Sequence, residues 1–112
     1  MSGINSYEGT VIEREVNSVH ASYELSKDNW FLVQTNYDRD QPDPKNDERR
    51  TPVEKKLKER GNAINEQQLL DDIMFQYPTL NIETIMSAIM VPGSGYHNTT
   101  AWYGANPSFK LR

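Results

Sequence analysis

The sequence predicts a small α+β domain, and three patterns carry that prediction. Residues 19–25 alternate apolar and polar at period two, the signature of a strand covered on one face. Residues 51–76 hold two helix starts, one marked by Thr51-Pro52 and the other by Asn65 with Gln68 three positions on. An apolar run closing on Pro92-Gly93-Ser94-Gly95 leads into the β-prone residues 96–103. At 112 residues the chain is one domain at most, or a piece of one.

Residues 1–8 are polar and read as irregular. A β-prone run opens at Thr10 and loosens over residues 13–18, giving a first strand over about 9–16. The second, over 19–25, sets Val19, Ala21, Tyr23 and Leu25 on one face and His20, Ser22 and Glu24 on the other. Ser26-Lys27-Asp28-Asn29 is a four-residue turn, and Trp30-Phe31-Leu32-Val33 is apolar throughout. The expectation is a hairpin over 19–35, with a third strand over 30–36. Residues 37–50 are rich in Asp and Pro and read as a loop with nothing to bury.

Thr51 as N-cap and Pro52 as first residue predict a helix over 52–60, held by Val53 and Leu57 and ended by Gly61. Asn65 caps a second helix over 65–76, whose stripe is Leu69, Leu70, Ile73 and Met74 and whose end is Pro78. Residues 82–90 fit two patterns. Ile82, Ile85, Met86, Ile89 and Met90 have helical spacing, yet a short apolar run before a Pro-Gly turn is equally a strand.

Composition narrows the function classes. A net charge of −4 argues against nucleic acid as partner, because phosphate binding needs a basic face. No apolar run approaches transmembrane length, and residues 1–15 show no basic-then-apolar leader pattern. The chain has no cysteine, hence no disulfide, thiolate metal site or thiol nucleophile of its own. There is no Gly-rich phosphate loop and no nucleophile elbow.

Several residues can still do chemistry. Asn36, at the end of the apolar run, is either a turn residue or an amide donor for a developing oxyanion. Arg49 and Arg50 are either solvated partners of Asp47 and Glu48 or a fork that grips a carboxylate. Asp38, Asp40, Asp43 and Asp47 cluster in sequence, but without the glycine and flexibility of a calcium loop, so no metal site is expected. His20 and His97 form no ligand-spaced pair. Lys55, Lys56, Lys58 and Arg60 make a basic helix face, ordinarily just solvated, the alternative being contact with an anionic lipid surface. Asn98-Thr99-Thr100 is a glycosylation sequon, relevant to a secretory protein.

The blocks Glu8-Gly9-x-Val11-Ile12-x-Arg14, Trp30-Phe31-x-Val33-Gln34-Thr35-Asn36-Tyr37-Asp38 and Pro44-Lys45-x-Asp47-Glu48-Arg49-Arg50-Thr51-Pro52 carry a resemblance. It returns at Pro78-x-Leu80-Asn81 and Asn106-Pro107-Ser108. The chain resembles the C-terminal part of the β-subunit of the acid ceramidase and N-acylethanolamine-hydrolysing acid amidase family. Those are lysosomal N-terminal-nucleophile amidohydrolases of fatty-acyl amides. The resemblance implies a four-layer αββα sandwich, of which this chain supplies part. It also implies that residues 82–91 and 96–103 form a strand hairpin.

By the same resemblance Asn36 helps form an oxyanion hole, Arg49 orients or stabilises charge at the scissile amide, and Tyr37 and Asp38 lie on the substrate side. No cofactor is implied. The partners implied are a fatty-acyl amide lipid and the missing N-terminal part or α-subunit. The family's nucleophilic Cys, and an Asp and Arg close behind it, would all lie before Met1. The sequon usual after the first helix is replaced by Lys58-Glu59-Arg60. Two readings follow: an amidohydrolase segment inactive by itself, or a non-catalytic relative that binds lipid or a sister subunit.

Overall fold

The structure, a computed structural model, describes residues 8–102. The irregular start, the far end of the last strand at Tyr103 and the Asn106-Pro107-Ser108 block lie outside the described residues. Within them the chain is α+β: two antiparallel two-stranded sheets with helices between them in sequence.

β1 (Thr10–Glu15) pairs with β2 (Ser18–Glu24) through a turn at Val16-Asn17. Asn17 sits at φ 65°, a left-handed conformation that Asn tolerates better than most residues. Glu13 pairs with Ala21 and Arg14 with Val19, so His20 is the extra residue of a bulge. The Leu25 N–H adds one more bond, 2.9 Å to the Gly9 carbonyl. The period-two pattern survives in part, with Ala21 and Tyr23 half-buried but Val19 exposed.

The expected hairpin over 19–35 does not form. β2 turns back on β1 instead, and residues 30–36 belong to no ladder. The turn itself is present: Ser26 N–H donates to Asn29 O, and Asn29 N–H to Ser26 Oγ, each at 3.0 Å. A side-chain bond competes with the ladder at its first position. Asn29 Nδ2 donates to the Glu24 carbonyl at 3.2 Å, occupying an acceptor at the end of β2 where a returning strand would start.

α1 (Arg50–Arg60) begins two residues earlier than its Thr-Pro signature suggests. Thr51 is not its cap, and Pro52 is the third helical residue. Asp43 does the capping from seven positions upstream, its Oδ2 accepting the Arg50 N–H at 3.0 Å and the Arg49 N–H at 3.4 Å. A carboxylate there satisfies free donors and complements the positive end of the helix dipole. Gly61, at φ 78°, ends the helix and donates to Leu57 O at 2.9 Å.

α2 (Glu66–Leu69) starts with the expected capping box: Gln68 N–H to Asn65 Oδ1 at 2.8 Å, Asn65 N–H to Gln68 Oε1 at 3.1 Å. The helix expected over 65–76 then widens into a π-helical turn (Leu70–Met74), closed by Phe75 N–H to Leu70 O at 2.8 Å. Leu70 and Ile73 are buried there, and Arg60 pairs with Asp72 to tie α1 alongside.

Residues 82–90 are not helical. Asn81 Oδ1 takes the Glu83 N–H and Thr84 Oγ1 takes the Asn81 N–H, local bonds that compete with a helix start. β3 (Met86–Val91) and β4 (Tyr96–Ala101) form the expected hairpin in register Met86↔Ala101 to Val91↔Tyr96, with β3 starting at Met86 and not at 82. Gly95 turns it at φ 71°. One face buries Ser87 and Ile89, with Trp102 Nε1 donating to Ser87 Oγ at 3.0 Å and its ring edge-on to Phe75 at 5.3 Å. The other leaves Met86 60% and Met90 68% exposed.

Candidate functional site

The loop between residue 36 and α1 is built around two adjacent arginines with opposite fates. Arg50 is buried, its side chain 10% exposed, and it lies 2.9 Å from Asp43 Oδ1, whose side chain is fully covered. The Nη2 that faces Asp43 also reaches the carbonyls of Tyr37 (2.8 Å) and Asp38 (3.1 Å), and Nη1 takes those of Gln41 (3.2 Å) and Arg39 (3.3 Å), while Nε is buried without a hydrogen-bond partner. A planar fork of five donors suits a loop that turns its carbonyls inward. Asp43 also accepts from Thr35 Oγ1 at 2.9 Å. Burial alone would push the Asp43 carboxyl up. The N–H of Arg50, the Thr35 hydroxyl, the N–H of Arg49 and the Arg50 charge outweigh it and hold the carboxyl below its usual value of 3.8.

Arg49 points the other way. Its Nη2 donates to Asn36 Oδ1 at 2.9 Å and to Asp47 Oδ2 at 3.0 Å, while Nε lies 2.9 Å from Asp47 Oδ1 without being aligned as a hydrogen bond. Tyr37 completes the cluster, its hydroxyl donating to Asp47 Oδ2 at 3.0 Å. That bond, with the carboxylate charge behind it, raises the phenol above its usual 10.0, because an O–H given to a carboxylate resists leaving.

The direction of the Asn36 amide follows. A guanidinium has donors only, so the oxygen of the amide is the atom that faces Arg49. The amide nitrogen faces away and, among the described residues, has no partner. Its two N–H groups are therefore free donors on an exposed side chain.

Three elements, together with the run ending at residue 36, clamp this loop in place. Glu13, buried on β1, accepts the Arg39 N–H through one oxygen, and its other oxygen is buried without a hydrogen-bond partner. The Arg39 guanidinium donates to the Val33 carbonyl, lies 4.9 Å over the Tyr23 ring of β2, and approaches Glu54 of α1 at 3.7 Å.

Of the residues singled out from sequence, Asn36, Arg49 and Tyr37 converge. Asp38 lends only its backbone carbonyl, and its side chain is exposed. Asn98 lies exposed on β4, away from this cluster in the chain. The four aspartates go separate ways: Asp43 to Arg50, Asp47 to Arg49, Asp40 to His20 at 3.7 Å, and Asp38 to solvent. Arg39 and Glu13 were not singled out from sequence; Arg50 and Asp43 were, but not as partners, and of the two readings offered for Arg50 the structure shows the fork that grips a carboxylate. The alternation Val11-x-Glu13 was a usable signal, since it sets Glu13 at an inward register of β1. No spacing rule links Asp43 to Arg50.

Just ahead of Asn36 an open apolar cavity of about 530 Å³ is lined by Val11, Leu25, Trp30, Phe31, Leu32 and Leu57, among others.

No family model matches the chain. Individual curated proteins do. Over 91% of its length the chain is 33% identical to an N-acylethanolamine-hydrolyzing acid amidase of Caenorhabditis elegans. It is 36% identical, over 84%, to the protein of that name from Oryctolagus cuniculus, and 38%, over 80%, to an acid ceramidase of Heterocephalus glaber. The chain belongs to this acid amidase and acid ceramidase family. It spans 30%, 27% and 23% of those three proteins, less than a third of any of them. The cluster of Asn36, Tyr37, Asp47 and Arg49 is thus a feature of one part of an acid amidase relative.

Proposed function

We propose that the chain is a segment of a lipid amidohydrolase that cleaves the amide bond of ceramides or N-acylethanolamines. One observation carries the reading: Asp47 fixes Arg49, Arg49 fixes the Asn36 oxygen, and the Asn36 N–H groups face outward. An acyl carbon under attack gathers negative charge on its oxygen, and donors already in place stabilise that charge without reorganising. Asn36 is the oxyanion donor. Arg49 orients it and adds positive potential, while Tyr37 and Asp38 border the substrate side.

The chain has no cysteine, so the attacking thiol and its base come from polypeptide outside it. With the nucleophile absent, only the modest residual effect of donor and binding groups would remain, and the chain alone is inactive. The same reading makes this the C-terminal segment of the β-subunit, a share of an αββα sandwich in a lysosomal enzyme.

A fluorogenic N-acyl amide tests it. The full chain alone should show no turnover. Co-expression with the remainder of the C. elegans relative should restore it, and Asn36→Ala in that complex should lower kcat about 10²–10³-fold. Hydrolysis by the chain alone, or an Asn36→Ala complex as fast as the parent, contradicts the reading.

A further inference from the structure

Residues 30–35 combine strand composition with unpaired backbone donors. No N–H group from Trp30 to Thr35 donates a hydrogen bond among the described residues. Trp30 to Val33 are only half-buried, and the first three line the open apolar cavity. The Val33 and Thr35 carbonyls accept from the Arg39 and Gln34 side chains, and the rest of the run keeps free donors beside apolar side chains, a template for another strand.

We propose that this run is the seam along which the remainder of the enzyme docks, by adding one apolar strand to it. The inference rests on the reading of the chain as an amidase segment, and it goes on to locate the joint. Two observations choose the occupant. The chain accounts for less than a third of its relatives' length, so most of the polypeptide that could cover the cavity is elsewhere. The run also ends at Asn36, where the site has a donor and no attacking group. A strand laid alongside at about 4.8 Å ends next to that amide. A second copy of this chain would bring another Asn36 and still no nucleophile.

The edge is also specified. Paired as a strand, residues 30, 32 and 34 share one edge and 31, 33 and 35 the other. Arg39 already holds the Val33 carbonyl, which blocks the second edge. The seam therefore uses the backbone of Trp30, Leu32 and Gln34.

Amide hydrogen exchange on the full chain tests this, with the portion of the C. elegans acid amidase outside the matched region as probe. In the complex, Leu32 and Gln34 amides should slow by about tenfold or more, and Phe31 much less. Leu32→Pro should abolish co-purification and Leu32→Val should not, with exchange in β3–β4 as the check that each variant folds. Unchanged Leu32 and Gln34 amides in a complex that does form overturn the seam. Concentration-dependent protection with a doubled mass in the chain alone, or protection by a free fatty acid, also overturns it. Slowing without hydrolysis leaves the seam and removes the amidase reading; hydrolysis without slowing does the reverse.

Discussion

Asp47 accepts from Tyr37 and Arg49 through the same oxygen, and that sharing sets the chemistry of the cluster. The bond to Asp47 is the largest cause of the raised Tyr37 phenol, so Asp47→Asn should bring the phenolate titration, followed by ultraviolet absorbance, down towards 10.0. An unmoved titration would mean that the hydroxyl points elsewhere in solution. Asp43 has the opposite sign. Its folded carboxyl is depressed below 3.8, so the stability it contributes is complete above that value and is lost as pH falls through the lower folded one. The latch on the loop consequently persists in mild acid. Asp43→Ala leaves Arg50 buried and uncompensated, and a cost of about 3–5 kcal/mol is expected in urea denaturation. A loss well under that would show the loop relaxing to solvate Arg50.

Among the elements, α2 owes its start to local chemistry alone. The capping box at Asn65 and Gln68 was legible because its donors and acceptors lie three residues apart, a spacing any chain can read without tertiary help. Asn65→Ala should lower stability by about 1 kcal/mol, read as a shift in denaturation midpoint at constant slope. The start of α1 was misjudged for the complementary reason: its cap comes from Asp43, across a loop. The β3–β4 hairpin was readable in its turn, Pro92-Gly93-Ser94-Gly95, while its apolar residues suited a helix equally well. The Asn81 and Thr84 side-chain bonds show which local competitor prevailed.

On the scale of the molecule, apolar surface is left uncovered. Ile85 is 79% exposed, and Met86 and Met90 stand out on one face of a two-stranded sheet. The full chain should therefore enhance the fluorescence of a hydrophobic dye under native conditions, and the complex with the remainder of an acid amidase should suppress it. Equal dye binding in the two would mean that the docked partner covers another surface.

The sequence by itself determined the α+β class, the capping box, the glycine that ends α1 and the final hairpin turn. Each rests on neighbours within a few residues or on a contiguous motif. Only the tertiary structure decided that β2 pairs backwards with β1, that Arg50 is buried and Arg49 is not, and that Asp43 caps α1. Those outcomes depend on which backbone groups find a partner across a loop. Two adjacent arginines look alike in a sequence; the fold separates them by the carboxylate each can reach.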